Sequence, residues 1–314
     1  IHLPDKKVFS ANLIEKLRYG ENPHQFSGYY SKNLTTNLKQ IQGKQLSYNN
    51  YNDIFAALTI SKSLPKNKGT VIVKHANPCG VSVKSNPIDS YNSALACDPI
   101  SAFGGIVSCN FKVKKNLAVE LNKLFLEVII ANGFDNNALN IFKNKKNLRV
   151  IDATNYSLSE IIKFTSSNEA ILVQSEDLKI FKNKDFKVVS KRKPNSKQLR
   201  NLIFAFNVCR YVKSNAVVLA KDDAIVGIGS GQPSRLDSCE IAINKMRKFN
   251  LFGNNLVAAS DAFFPFVDGI EKLVQSGVQA VIQPSGSIRD KEIIKFANET
   301  DTILVFSKTR HFKH

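Results

Sequence analysis

The chain has 314 residues, of which 43% are hydrophobic, and carries a formal net charge of +18. Its length supports sizeable cores and favours two domains over one, and no apolar stretch approaches the roughly 20 residues of a membrane-spanning helix. The excess lysines alternate with asparagine and apolar residues, as at 143–147 and 179–187, which marks solvated faces rather than a nucleic-acid surface and leaves a positive field suited to small anions.

The chain opens on Ile1 rather than Met and shows no signal-peptide hydrophobic region, so it is read as part of a longer or processed protein, expected in the cytoplasm. Cys79, Cys97, Cys109, Cys209 and Cys239 are scattered, odd in number and free of any Cys-x-x-Cys pair, which argues against a disulfide framework and against structural zinc. Apolar runs at 70–73, 105–108, 127–131, 170–173, 216–219, 225–228, 278–282 and 302–306 read as buried strands, and helical periodicity appears at 51–63, 115–123, 196–208, 239–248 and 266–275. The alternation predicts an α/β class, with mainly parallel or mixed sheets flanked by helices. Polar stretches near 152–155 and 183–196 interrupt the pattern, and a boundary near residue 153 gives two regions, 1–153 and 154–314. Each half has a strand-end loop rich in small and polar residues, at 74–80 and 283–290, so two related α/β units are expected.

Arg18-Tyr-Gly-Glu-Asn-Pro-His-Gln25 combines a guanidinium fork and a phenol with a turn, a donor set that fits phosphate or carboxylate. Lys74 and His75 stand together in Gly69-Thr-Val-Ile-Val-Lys-His-Ala-Asn-Pro-Cys-Gly80. The apolar run reads as a strand that Asn77, Pro78 and Gly80 break at once, so both basic groups are expected where strand gives way to loop, the place where open α/β sheets keep ligands. Two adjacent cations repel, which favours a neutral imidazole base beside an ammonium acid. Cys97-Asp-Pro-Ile-Ser-Ala-Phe-Gly-Gly105 ends in glycines that let backbone approach a ligand, or that simply turn the chain into the next strand. A zinc deaminase needs His-x-Glu and Pro-Cys-x-x-Cys, which the stretch after His75 lacks.

In the second half, Gly227-Ile-Gly-Ser-Gly-Gln-Pro-Ser-Arg235 lacks the third glycine of a dinucleotide loop and follows a strand that reads as part of a hairpin. Its glycines are expected to give the main chain room around a ligand, with Arg235 presented at the end. Asp261-Ala-Phe-Phe-Pro-Phe-Val-Asp268 sets phenylalanines between two acids, as a slot for a flat heterocycle with a carboxylate at one end requires. Pro284-Ser-Gly-Ser-Ile-Arg-Asp290 reads as a strand-to-helix turn with small donors, and Thr309-Arg-His-Phe-Lys-His314 as a basic tail.

Taken together, these segments resemble the AICAR transformylase/IMP cyclohydrolase family along nearly the whole chain, in order and in spacing. The resemblance covers the transformylase part; the cyclohydrolase domain that normally precedes it is not seen. It implies two cytidine-deaminase-like units, a homodimer with shared active sites, and transfer of a formyl group from 10-formyltetrahydrofolate to the 5-amino group of AICAR. No catalytic metal is implied, and any monovalent cation requirement stays open. Neither a nucleic acid nor a membrane is an implied partner. By the resemblance, His75 is the catalytic base, with Lys74 and Asn215 stabilising charge. Arg18, Tyr19, Gly104, Glu127 and Arg310 match AICAR contacts, and Arg235, Leu236, Phe263, Asp268, Ser287 and Ile288 match positions around the folate. Two rival readings are a basic nucleic-acid-binding protein on a degenerate scaffold and a transferase using a smaller formyl donor such as formyl phosphate; the phenylalanine-rich slot argues against the latter.

Overall fold

The protein is described by a computed structural model over residues 4–32, 37–158 and 162–314, so His2 lies outside the described residues. In chain order the elements are β1 (Asn12–Leu17), β2 (Ser27–Ser31), β3 (Lys39–Gln42), α1 (Tyr48–Ser63), β4 (Gly69–Lys74), β5 (Asn77–Val83), α2 (Pro87–Cys97), α3 (Pro99–Ala102), β6 (Ile106–Cys109), α4 (Lys115–Lys123), β7 (Val128–Ala131), α5 (Asn136–Phe142) and β8 (Arg149–Asp152). They continue with β9 (Ile162–Ser167), β10 (Ala170–Ser175), β11 (Phe186–Val188), α6 (Ser196–Cys209), β12 (Val217–Lys221), β13 (Ala224–Gly229), α7 (Arg235–Lys248), β14 (Val257–Ser260), α8 (Asp268–Gln275), β15 (Ala280–Pro284), α9 (Asp290–Glu299) and β16 (Ile303–Ser307).

Twelve strands form one sheet, in the order β11-β16-β15-β14-β12-β13-β5-β4-β6-β7-β8-β3. The order is a repeat folded back on itself. From the centre outward, each half gives an antiparallel hairpin (β5-β4 or β13-β12), an antiparallel step to β6 or β14, two parallel steps, and an antiparallel edge strand. Chain order repeats too, β3-α1-β4-β5-α2-β6-α4-β7-α5-β8 matching β11-α6-β12-β13-α7-β14-α8-β15-α9-β16, with α3 as an extra turn in the first half. Only β6-β7-β8 and β14-β15-β16 run parallel, so the sheet is mixed rather than mainly parallel. The counterpart of the segment at 74–80 is the β12-β13 turn, not the loop at 283–290 paired with it above, because strand order and not loop composition defines the equivalence.

Alternation of side chains across the pleat sends each strand's apolar residues to both faces. In β7, Val128 and Ile130 join a core that includes Ile54 and Leu58 of α1 and Leu202 and Phe206 of α6. Ile129 and Ala131 face the opposite way, against Leu117 and Leu121 of α4 and Phe142 of α5. The second half repeats this, with Val281 and Leu304 packed beneath Ile243 of α7, Leu273 of α8 and Ile293 of α9. Each fully buried Val, Leu or Ile contributes about 1.5–3 kcal/mol. α1 and α6 start alike: Ser47 and Asn195 close capping boxes with Asn50 and Gln198.

One expectation fails here. The run at 170–173 pairs only with β9, as a separate ribbon on which Phe164, Ile171 and Leu172 are exposed, because no layer covers it. The basic C-terminal tail is docked: His311 N–H donates to Asp261 O at 2.8 Å, Lys313 N–H donates to Ser214 Oγ at 3.0 Å, and the His311 ring is buried against Phe181 and Phe206.

Helices α2 and α7 lie directly on the central strands. A Cβ on Gly80 of β5 meets Ala94 O of α2 at 1.9 Å, and one on Gly229 of β13 meets Ser238 O of α7 at 1.8 Å. Both contacts are with backbone, so no side chain can swing aside. Gly229→Ala is expected to lower stability by about 1–3 kcal/mol through this overpacking, read as a lower urea midpoint at unchanged slope.

Candidate active site

The Lys74-His75 pair sits on a hairpin tip. β4 buries Val71, Ile72 and Val73, Lys74 ends it opposite Asn77, and His75 and Ala76 form the whole turn with φ of +57° and +55°. Turns of this two-residue type match the twist of the flanking strands but favour Asn-Gly, so a His-Ala pair there carries backbone strain. The expected break into a loop does not occur, because β5 resumes at Asn77 and a register shift between Ile72 and Val73 accommodates Pro78. The Ala76 amide donates to Asp53 Oδ1 of α1 at 2.5 Å, and Lys74 Nζ donates to Phe103 O at 2.5 Å, beside Gly104.

His75 is exposed on a cavity of about 390 Å³ whose walls include Lys74, Asn77, Asp98, Ser230, Gln232 and Lys245. Cys79 also lines it, and burial pushes that thiol up to about 12, so it is no nucleophile at neutral pH. Asn77 Oδ1 accepts from Lys213 N at 3.1 Å and Ser230 Oγ at 3.3 Å, tying the tip to the second half. Asp98 caps α3 through Ser101 and pairs with Lys245 of α7 across the halves. Burial pushes the Asp98 carboxyl up, but the Lys245 and Ser101 bonds outweigh it and hold the group below its ordinary value.

At the other flank of the tip, Glu127 accepts from Asn50 Nδ2 at 2.8 Å and faces Arg149 at 3.9 Å. Burial, together with the neighbouring Arg18 charge, lowers the Arg149 pKa against the pull of Glu127. Arg18 is exposed and lies over the Tyr19 ring at 5.4 Å. Lys74, His75, Gly104, Glu127, Arg18 and Tyr19 thus share one margin of the first half: the end of β4, the starts of β6, β7 and β8, and the end of β1.

A second cavity, about 430 Å³, gathers Asn215, Arg235, Leu236, Phe263, Asp268 and Arg310, with Phe266 and Phe312 in its walls. It lies beyond the 230–236 segment, whose Ser230 and Gln232 face the His75 cavity and whose Pro233 to Leu236 face this one. The Asn215 amide N–H groups donate to Gln232 O at 2.9 Å and Pro233 O at 2.8 Å in that shared wall. Arg235 is turned inward rather than presented: it donates to Asn215 Oδ1 at 2.7 Å, to Ser260 Oγ at 2.8 Å, and pairs with the fully buried Asp261. Asp261 is therefore not the acid at the mouth of the phenylalanine slot; exposed Asp268 takes that place. Phe264 belongs to the core, while Phe263 and Phe266 keep exposed ring faces. Gly227 and Gly229 approach α7 rather than a ligand. Ser287 and Ile288 line neither cavity, and Ile288 is fully exposed; their loop reaches the second cavity only through Arg289, stacked over Phe266 at 4.7 Å.

Sequence reading did not single out Asn50, Asp53, Asn77 or Lys245 as site residues. Asn50 had a signal, three residues after a Ser that caps a helix; Asp53 had none, since only folding brings α1 against the tip. Among the described residues no cluster of three or more His, Cys, Asp or Glu is arranged to hold a metal, and no helix is long and apolar enough to cross a membrane.

Residues 2–245 match the family model for the AICARFT/IMPCHase bienzyme. The chain belongs to that family. Among curated members, the bifunctional purine biosynthesis protein PurH of Leptospira biflexa is 43% identical over 317 residues, spanning 100% of this chain and 61% of the relative. The PurH proteins of Rhodospirillum rubrum and Persephonella marina are each 44% identical, over 328 and 316 residues. The chain spans about three-fifths of the length of these family members, 61% in each case.

The Asp98–Lys245 pair bridges the halves beside the Lys74-His75 tip. Because the Asp98 carboxyl is depressed in the fold, its stabilisation is complete above the ordinary carboxylate value of about 3.9 and is lost as pH falls through the lower folded value. With Lys245 partly exposed, Lys245→Met is expected to lower stability by about 0.5–1 kcal/mol at pH 7, with the gap from wild type closing in urea melts run at progressively more acidic pH.

Proposed function

We propose that this chain transfers the formyl group of 10-formyltetrahydrofolate to the 5-amino group of AICAR, the transformylase step of purine biosynthesis. The observation that carries the reading is the Lys74-His75 tip, exposed on a cavity and held in a strained turn rather than relaxed into a loop. An aromatic amine beside a carboxamide is a poor nucleophile, so His75 takes its proton as the nitrogen attacks the formyl carbon. The tetrahedral oxyanion that forms is stabilised by the Lys74 ammonium and then collapses, breaking the bond to the folate nitrogen, which takes the proton held by His75 and leaves as a neutral amine. Arg18, Tyr19 and Arg310 anchor the ribotide phosphate, while Gly104 and Glu127 border its base. Leu236, Phe263 and Asp268 receive the folate in the second cavity, while Ser287 and Ile288, outside both cavities, are assigned to it by the family resemblance alone. Asn215 and Arg235 brace each other, so they serve the oxyanion and the folate from the wall between the cavities.

We assign the complete site to a homodimer, because Arg310 lines the cavity that His75 does not. A cytoplasmic location accords with the five free cysteines.

His75→Ala is expected to cut formyl transfer by roughly 10²–10⁴-fold, the range for one acid–base group. An assay with both substrates, omitting each in turn, measures it, and near-normal turnover in the variant rejects the role. Arg310→Ala is expected mainly to raise the KM for AICAR; a loss confined to kcat shows that it acts on the transition state instead.

A further inference from the structure

The internal repeat gives the Lys74-His75 tip a counterpart with different chemistry at the opposite margin of the sheet. The β12-β13 turn, Asp222-Asp223, has the same geometry, φ +52° and +59°, and is preceded by Lys221 as His75 is by Lys74. Lys221 Nζ donates to Phe252 O before Gly253, as Lys74 Nζ donates to Phe103 O before Gly104. Gln198 Nε2 donates to Gln279 Oε1 just ahead of β15, as Asn50 Nδ2 donates to Glu127 Oε2 just ahead of β7. Asn201 Oδ1 of α6 accepts from the Asp223 amide at 2.9 Å, as Asp53 Oδ1 of α1 accepts from the Ala76 amide.

A neutral amide at position 201 thus suffices to hold this turn, and Asp53 keeps a carboxylate where burial disfavours its charge. That charge needs a use other than bracing, and the neighbouring basic group is His75. The second tip reverses the polarity, with Asp222 and Asp223 paired to Lys197 and Arg200 of α6.

We propose that Asp53 is a positioning residue for His75: its carboxylate orients the tip and favours the imidazolium that forms as the amine loses its proton. The assignment rests on the formyl-transfer reading. The test compares Asp53→Asn, Asp53→Ala and the control Asn201→Asp in the full chain, by thermal melts and by kcat and KM for AICAR. Asp53→Asn keeps the turn bond that Asn201 makes in the second copy, so its Tm is expected to equal or exceed that of wild type, while kcat falls about 10–100-fold at little-changed KM. Asp53→Ala loses both stability and kcat, and Asn201→Asp leaves kcat intact. A folded Asp53→Asn variant with wild-type kcat overturns the proposal and leaves Asp53 a turn brace. Should that variant unfold, adding Ala76→Gly relieves the positive-φ strain, and the same kcat criterion decides. Wild-type protein without formyl transfer defeats the underlying reading instead.

Discussion

The antiparallel meeting of β5 and β13 decides where chemistry sits in this fold. The two strands share one ladder pair, Ser82 with Ala224, and one further bond from Val83 N–H to Asp223 O at 2.8 Å. Running in opposite directions, they send the two hairpin tips to opposite margins of the sheet. At one margin the His75 tip faces the end of β13 and the 230–232 segment across a shared cavity; at the other, Asp223 meets Val83 of the first half. The first half holds the His75 tip, and the second holds the wall built on Arg235 with the phenylalanine-lined cavity beyond it.

Within that frame, the Arg235–Asp261 pair organises the wall between the cavities. Taking two charges out of water is expensive unless every remaining donor and acceptor is used. Here Asp261 also accepts from Ser214 Oγ at 2.6 Å, and Arg235 reaches Ser260 and Asn215. Ser214 in turn receives the Lys313 amide, so the C-terminal tail, the start of β12 and α7 are fixed through one buried network. Its value lies in geometry more than in net stability, since removing one partner leaves a stranded charge.

Much of this architecture was legible in the chain. The helix at 115–123 falls where its periodicity sets it, and the strands in both parallel triplets other than β8 and β14 appear as apolar runs. β14, Val-Ala-Ala-Ser, was missed because small residues carry little pattern, and β5 because Asn-Pro reads as a break when a bulge can absorb it. α2 went unread although Asn86 before Pro87 marks a helix start. Local chemistry singled out the Lys-His tip and the phenylalanine-rich segment, whereas Gly104, Phe263 and Arg310 were named only through the family resemblance. It misjudged Arg235, which was expected to be presented to a ligand but is buried against Asp261, since whether a charge faces solvent or another charge is settled by chain segments far away in sequence. Asp53 was beyond reach for the same reason.

The two outermost strands carry a consequence for assembly. β3 and β11 have four and three residues, and their solvent sides present Lys39 and Lys187. Short, cationic borders of this kind repel another chain's unpaired ladder. The margins of a sheet already twelve strands wide are thus short and lysine-bearing, which disfavours end-to-end polymerisation through its unpaired ladders.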